Sequence, residues 1–131
     1  MEASEEVNDI ERTPAEVADL ISEGAQLIDV RQDYEFEAAR IGGATRIGLE
    51  ILAENRGEVD QDRPVVFYCR TGARSEMAAQ AFSAAGVDAV SLGGGITAWI
   101  EAGQPIEPED GYIAEPGQAA AILEARERAR S

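Results

Sequence analysis

A short apolar segment that runs into the only cysteine constrains this chain more than any other stretch. Residues 65–68 read Val-Val-Phe-Tyr, which is typical of a strand buried on both faces of a parallel sheet. Cys69 follows directly, and a helical pattern begins after Gly72 and ends at Gly86. Its apolar positions recur every four residues, at Met77, Ala81 and Ala85 and at Ala78 and Phe82. The thiol is therefore expected between the carboxyl end of a strand and the amino end of a helix, where open α/β sheets bind ligands.

The neighbours of Cys69 predict a reactive thiol. Backbone N–H groups at a helix start lack intrahelical partners, and the helix dipole adds positive potential there. Arg70 and Arg74 bring two permanent charges close to the sulfur. These features favour the nucleophilic thiolate and would also hold an anion. The alternative is that Cys69 is a small buried apolar residue, the commoner fate of a lone cysteine.

Three ordered motifs resemble those of rhodanese-type sulfurtransferases. The loop Cys-Arg-Thr-Gly-Ala-Arg at residues 69–74 is similar to their active-site loop. The other two motifs are Leu-Ile-Asp-Val-Arg at 27–31 with Glu35 and Phe36 after it, and Leu-Gly-Gly-Gly at 92–95 with Trp99, Gly103 and Pro105. The alternation of strand and helix patterns itself predicts an α/β domain. The resemblance implies a rhodanese-like three-layer domain over residues 10–106, with about five parallel strands and helices on both faces.

The resemblance also implies an activity. A sulfurtransferase of this kind would take sulfur from a small anionic donor such as thiosulfate onto Cys69, as a persulfide, and pass it to a thiol or sulfur-carrier acceptor. No metal or organic cofactor is needed for that exchange. Binding of the donor would fall to the rest of the loop: Arg70, Thr71, Gly72, Ala73, Arg74 and Ser75. The acceptor must be external, because the sequence has no second cysteine.

Asp29 and Arg31 would point to the same side of a continuing strand and could form an ion pair. The resemblance implies that such a pair orders the surroundings of the site, whereas an exposed acid and base beside a turn is an equally open interpretation. Arg40, Gly42 and Gly48 stand where relatives commonly have His, Pro and Pro. Glycine for proline loosens a turn, and arginine supplies a fixed charge where histidine would titrate.

Two other functions use the same scaffold. Phosphatases and arsenate reductases that resemble this chain have a Cys-x5-Arg loop, but Ser75 occupies the sixth position after Cys69 and the arginine comes one residue earlier. A non-catalytic interaction module is the other alternative, although degenerate relatives usually lose the cysteine that this chain keeps.

The charge balance is strongly acidic, with 26 acidic residues against 11 basic ones and a net charge of −15. This excess argues against binding to nucleic acid or to anionic membranes. It indicates a salt-adapted protein, with a codon bias toward arginine as the alternative explanation, since lysine is absent. The acidic start and the single cysteine are typical of a cytoplasmic protein, and no apolar run reaches membrane-spanning length.

Outside the motifs, Thr13 and Glu16 predict a capped helix start, with Pro14 at the first helical position. Phe36 and Trp99 are expected in the core. Residues 1–9 are predicted to be a flexible acidic end, and residues 107–131 an acidic linker followed by a helix. That helix could pack on the domain, mediate dimerisation or hang free, so the sequence leaves the oligomeric state open.

Overall fold

Five parallel strands form the middle layer of the structure, a computed structural model that describes residues 10–114. In chain order they are β1 (Glu11–Arg12), β2 (Gln26–Asp29), β3 (Thr45–Arg46), β4 (Val65–Tyr68) and β5 (Ala89–Leu92). Their order across the sheet is β1-β5-β4-β2-β3, so β4 is central. All four residues of β4 are buried, as its uninterrupted apolar sequence predicts.

Helices cover both faces of this sheet. They are α1 (Pro14–Ser22), α2 (Asp33–Ala38), α3 (Leu49–Leu52), α4 (Ala73–Ala84) and α5 (Gly95–Glu101), with a 3-10 turn at Arg56–Glu58. Side chains alternate along β4, so Val65 and Phe67 join a core with α3 and α4, whereas Val66 and Tyr68 join a core with α1 and α5. Trp99 lies in the second core. The expected three-layer α/β architecture with a five-stranded parallel sheet is confirmed.

The predicted start of α1 is also confirmed. The Glu16 N–H donates to Thr13 Oγ1 at 3.1 Å, and the Thr13 N–H donates to Glu16 Oε1 at 2.9 Å. Pro14 occupies the first turn, where its missing N–H costs no hydrogen bond. These contacts satisfy two backbone donors that the helix itself cannot pair.

The apolar face of α4 differs from the predicted one in part. Ala78 and Phe82 are buried as expected, but the buried set is completed by Ser75 and Ala79, and Met77 is 61% exposed. The helix ends before Gly86, whose φ of +93° suits glycine. The face of α4 that packs on the sheet therefore excludes Met77 and includes the polar residue Ser75, which lies beneath the loop.

Residues 107–114, the first part of the predicted acidic linker, lie against α2. Arg40 and Glu107 exchange backbone hydrogen bonds of 2.9 and 2.8 Å, and the Tyr112 N–H donates to the Ala38 carbonyl at 3.1 Å. Ala114 is fully buried. The predicted flexible end at residues 1–9 and the predicted C-terminal helix lie outside the described residues.

The Arg40 guanidinium lies 5.0 Å from the centre of the Phe36 ring. Phe36 is only half-buried, while its neighbours Tyr34 and Ala38 take the buried positions of α2. The expectation that Phe36 belongs to the core is therefore wrong, because the short helix turns Tyr34 rather than Phe36 inward.

None of the helices in the described part of the chain is long and apolar enough to cross a bilayer.

Candidate active site

Cys69 lies in the tight loop that joins the end of β4 to the start of α4. The Gly72 N–H donates to Cys69 Sγ at 3.0 Å, and Ser75 Oγ lies 3.6 Å from the same sulfur. Gly72 has a φ of +114°, a conformation that side-chain-bearing residues rarely adopt, so glycine suits this turn of the loop. The residue Cys69 is only 1% exposed, so the sulfur is enclosed by the loop.

The thiol of Cys69 is acidified by these donors. Burial alone would raise its pKa, because a thiolate loses solvation in the interior. The hydrogen bond from the Ser75 hydroxyl and those from the backbone N–H groups of Ser75, Gly72 and Arg74 act in the opposite direction. Together they outweigh burial, and the pKa of Cys69 lies below its ordinary value. The arrangement favours a thiolate, the form in which cysteine is nucleophilic.

A salt bridge holds the far end of the loop. Arg74 Nη1 and Nη2 donate to Glu35 Oε2 and Oε1, each at 3.1 Å. Glu35 lies on α2 with its side chain 2% exposed, whereas Arg74 is 32% exposed. The hydrogen bond from Arg74 to Glu35 raises the pKa of Arg74, and the charge of Cys69 adds to that effect. Arg74 thus joins the loop to α2 while it contributes positive potential at the sulfur.

The other side of the loop rests on the start of α5. The Ile96 N–H donates to the Cys69 carbonyl at 2.9 Å, and Thr97 donates to the Arg70 carbonyl through its N–H at 3.2 Å and its Oγ1 at 3.0 Å. A Cβ on Gly95 would collide with the carbonyls of Arg70 and Cys69. The expected close approach of the glycine run to the loop therefore occurs, and Gly95 permits it.

The Arg70 side chain is not used in this packing. Among residues 10–114 its guanidinium makes no side-chain hydrogen bond or ion pair, and its buried Nε has no partner. Thr71 and Ala73 are exposed at the rim of the loop. These residues, unlike Arg74, are free to meet a molecule that arrives from solvent.

Asp29 and Arg31 form a buried ion pair. Arg31 Nη2 donates to Asp29 Oδ2 at 2.7 Å, Nε donates to Oδ1 at 2.9 Å, and both side chains are fully buried. Arg31 Nη2 also donates to the Ala39 carbonyl at 2.7 Å, which ties the end of β2 to the end of α2. The ion pair, one of the two interpretations that the sequence allows, is therefore present. An exposed acid and base beside a turn is wrong.

Tyr68 packs beneath this pair. The Arg31 guanidinium lies 5.5 Å from the centre of the Tyr68 ring, and the Ile41 N–H donates to the Tyr68 hydroxyl at 3.1 Å. Burial, followed by the charge of Asp29, raises the pKa of Tyr68, so the phenol stays neutral and supports the end of β4 on which Cys69 is mounted.

Two residues of the site were not predicted as site residues. Glu35 belongs to a motif recognised in the sequence, but its partner Arg74 lies 39 residues away. Ser91 is a fully buried polar residue on β5, and its Oγ lies 2.8 Å from Ser75 Oγ. A serine inside an otherwise apolar strand was the one signal that could have indicated Ser91.

Comparison with known proteins agrees with this geometry. The sequence profile of the rhodanese-like domain matches residues 13–102. The chain is 42% identical over 98 residues to the probable adenylyltransferase/sulfurtransferase MoeZ of Mycobacterium tuberculosis, a match that covers 71% of this chain and 25% of MoeZ. It is 40% identical over 82 residues to the thiosulfate sulfurtransferase GlpE of Shewanella oneidensis, covering 62% of this chain and 81% of GlpE. The chain thus spans a quarter of MoeZ and most of GlpE.

A crystal structure extends the likeness to three dimensions. The rhodanese-related protein of Thermoplasma volcanium superposes with a TM-score of 0.69 at 28% identity, covering 73% of this chain and 95% of that protein. The profile match, the relatives named sulfurtransferases and the shared fold lead to one conclusion: the chain belongs to the rhodanese-like domain family.

Proposed function

We propose that this protein is a sulfurtransferase that carries sulfur on Cys69 as a persulfide. The observation that carries the proposal is the position of the Cys69 sulfur, which accepts a hydrogen bond from the Gly72 N–H at 3.0 Å and lies 3.6 Å from Ser75 Oγ. These donors stabilise negative charge on Cys69 Sγ, and so favour the nucleophilic thiolate. Relatives named sulfurtransferases support the same function.

In the first half-reaction the Cys69 thiolate attacks the outer sulfur of a donor of the thiosulfate type. A new S–S bond forms to Cys69, and the bond between the two donor sulfurs breaks. Sulfite departs with the electron pair of that bond, and an anionic persulfide remains on the protein. The negative charge passes from the Cys69 sulfur to the outer sulfur of the persulfide, where N–H groups of the loop would stabilise it.

In the second half-reaction a nucleophilic acceptor attacks the outer persulfide sulfur. The S–S bond breaks, the acceptor leaves with the sulfur, and the Cys69 thiolate returns. With one cysteine in the chain, no internal thiol can take the sulfur. The acceptor is therefore an external group such as cyanide, a small thiol, or a protein thiol or thiocarboxylate.

Binding of the anionic donor falls to the exposed side of the loop. Arg70 has no side-chain partner among the described residues, so its charge is available for a sulfonate-like group. Arg74 already shares both terminal nitrogens with Glu35. We therefore assign donor capture chiefly to Arg70 and the rim of the loop at Thr71 and Ala73, and the shape of the loop to Arg74.

Intact-mass spectrometry after incubation with thiosulfate tests the proposal. The protein should gain the mass of one sulfur atom, and cyanide or a reducing thiol should remove it. Cys69→Ser should neither gain the mass nor turn over thiosulfate, while Ser83→Ala, at an exposed position on α4, should behave as the wild type. Undiminished formation of thiocyanate by Cys69→Ser would refute the assignment.

Aryl phosphates distinguish the main alternative. A phosphatase loop needs one more residue than this chain has between Cys69 and its closing arginine, and Ser75 at that position is buried against Ser91. Hydrolysis should stay at background, and insertion of a residue between Ala73 and Arg74 should weaken sulfur transfer. A chain that neither loads sulfur nor hydrolyses phosphate would instead fit an interaction module.

A further inference from the structure

A chain of two buried hydroxyl groups leads from β5 to the sulfur of Cys69. Ser91 Oγ lies 2.8 Å from Ser75 Oγ, and Ser75 Oγ lies 3.6 Å from Cys69 Sγ. Ser75 and Ser91 are both fully buried, on α4 and β5 respectively. A buried hydroxyl that found no acceptor would cost free energy, so each proton in this chain needs a place.

The number of acceptors available to the two hydroxyl groups decides which hydroxyl donates to which. Within residues 10–114, the only hydrogen bond of the Ser91 hydroxyl is the one with Ser75 Oγ, in which either oxygen could donate, and both hydroxyl protons find an acceptor only if Ser91 is the donor. The Ser91 proton must therefore point to Ser75. Ser75 then cannot use its own proton on Ser91, and its remaining acceptors are Cys69 Sγ and the Gly72 carbonyl at 3.2 Å.

Between these two acceptors the charged one is preferred. The Gly72 carbonyl already accepts the Glu76 N–H at 3.0 Å, and a hydrogen bond to an anion is stronger than one to a neutral carbonyl. When Cys69 is a thiolate, the Ser75 proton is directed to the sulfur. Donation by Ser91 also polarises the Ser75 hydroxyl and strengthens that bond, because linked hydrogen bonds reinforce one another.

We infer that Ser91 is a positioning residue of the active site, which fixes the Ser75 hydroxyl as a donor to the sulfur of Cys69. This inference rests on the proposed function of Cys69 as the nucleophile. Ser91 does not touch the sulfur, so it acts through Ser75 alone. The Ser75 hydroxyl can rotate, and the residues of the loop itself do not fix its direction. Ser91, on β5, fixes that direction.

Titration of the thiolate by its ultraviolet absorbance tests the inference directly. The chain has a single cysteine, so the difference spectrum against Cys69→Ser reports that sulfur alone. Ser75→Ala should move the titration midpoint upward by about one pKa unit, the loss of a charge-assisted hydrogen bond. Ser91→Ala should move it upward by a few tenths of a unit, on the order of the 10–30% by which linked bonds strengthen each other.

A double-variant comparison separates positioning from mere packing. Because Ser91 acts through Ser75, Ser91→Ala should have no further effect on the midpoint in the Ser75→Ala background. Ser91→Thr, which keeps the hydroxyl, should restore the wild-type midpoint, and Ser83→Ala should leave it unchanged. Arg70, Arg74 and Glu35, the charged groups of the site, stay the same in every variant, so their contribution cancels.

The titration midpoint of Cys69 in the Ser91 variants can support or refute the inference. An unchanged midpoint in Ser91→Ala, or an equal shift with and without Ser75, would overturn the inference. If Ser91→Ala gives no folded protein, Ser91→Val, which has the shape of Ser91→Thr without the hydroxyl and favours a strand, serves the same comparison. The titration needs no sulfur donor. A protein that fails to turn over thiosulfate would refute the proposed function, yet the same spectra would still decide the role of Ser91.

Discussion

Arg74 and Glu35 face each other through two parallel hydrogen bonds of 3.1 Å, one from each terminal nitrogen of the guanidinium. One partner closes the loop around Cys69, and the other is a nearly buried carboxylate on a separate helix. A paired fork of this kind fixes direction as well as distance. The loop is therefore held at a set distance from α2, and the charge beside the sulfur has a fixed position.

Replacement of Glu35 by Gln should test this relationship. One acceptor oxygen is lost, so Arg74 loses its two-point contact, and we expect a loss of about 1–2 kcal/mol in the free energy of unfolding, measured by urea denaturation. The kcat/KM for thiosulfate should fall about tenfold as the loop loosens. Glu54→Gln, an exposed change, is the matched control. Equal behaviour of the two variants would remove the role given to Glu35.

Replacement of Arg70 should affect donor binding, whereas replacement of Arg74 should affect stability as well as turnover. Arg70→Ala should raise KM for thiosulfate and lower kcat/KM, by an amount that corresponds to about 1–3 kcal/mol of lost transition-state stabilisation. The free energy of unfolding should change little, because the Arg70 guanidinium has no partner among the described residues. Arg74→Ala should lower both stability and turnover. Steady-state kinetics and urea denaturation of both variants check the contrast. If Arg70→Ala keeps the wild-type KM, the donor is held by backbone groups alone.

The lowered pKa of Cys69 makes a prediction about stability. A thiolate that is more stable in the folded than in the unfolded chain adds to the free energy of unfolding above the unfolded pKa of about 8.5. That contribution is lost as the pH falls through the lower pKa of the folded state. The difference in unfolding free energy between wild type and Cys69→Ser should therefore grow with rising pH and level off above about 8.5. A difference independent of pH would contradict an acidified thiol.

Gly95 should tolerate no side chain. A Cβ at this position would lie 2.5 Å from the Cys69 carbonyl, and the φ of +64° is itself unfavourable for other residues. We expect Gly95→Ala to destabilise the protein by about 1–3 kcal/mol, measured by thermal or urea unfolding. Gly57→Ala is the control, since nothing lies within 4 Å of its Cβ position, and it should change stability by less than about 0.5 kcal/mol. Similar losses in both variants would contradict the close approach of α5 to the loop.

The net charge of −15 predicts that salt stabilises the fold. In dilute buffer the acidic groups repel one another over a Debye length of roughly 30 Å, which shrinks to about 3 Å at molar salt. Tm measured by calorimetry should rise steadily from dilute buffer to molar potassium chloride. Activity should instead pass through a maximum, because the salt competes with the anionic donor at Arg70. A flat or falling Tm would favour codon bias as the origin of the composition.

Much of this site could be predicted from local sequence. The burial of β4, the capping of α1 and the glycine at Gly72 all depend on neighbours within a few residues, and patterns of that range are legible in one sequence. The pair of Asp29 and Arg31 could be proposed for the same reason, since only one residue separates them. Its complete burial could not, because that depends on how α2 covers the strand end.

The remaining residues of the site depend on the register of the sheet and the packing of helices. Ser91 pairs across the sheet with Phe67, two residues before Cys69, and only this register brings its hydroxyl to Ser75. Glu35 reaches Arg74 from a helix that precedes it by 39 residues. Met77 was expected with the buried residues because its spacing from Ala81 and Ala85 suits a helix face, but spacing does not say which face meets the sheet.

The parallel register has a consequence for the newly made chain. β2, β4 and β5 each deliver one part of the site, with Asp29 level with Tyr68 and Ser91 level with Phe67. The final part is contributed by β5 and the start of α5, which follow the cysteine in the chain. A ribosome-bound fragment that ends before residue 89 would hold the thiol without these supports. The groups that donate to the sulfur, Gly72, Arg74 and Ser75, precede residue 89, but the strand and helix that hold their loop in place are synthesised only afterwards.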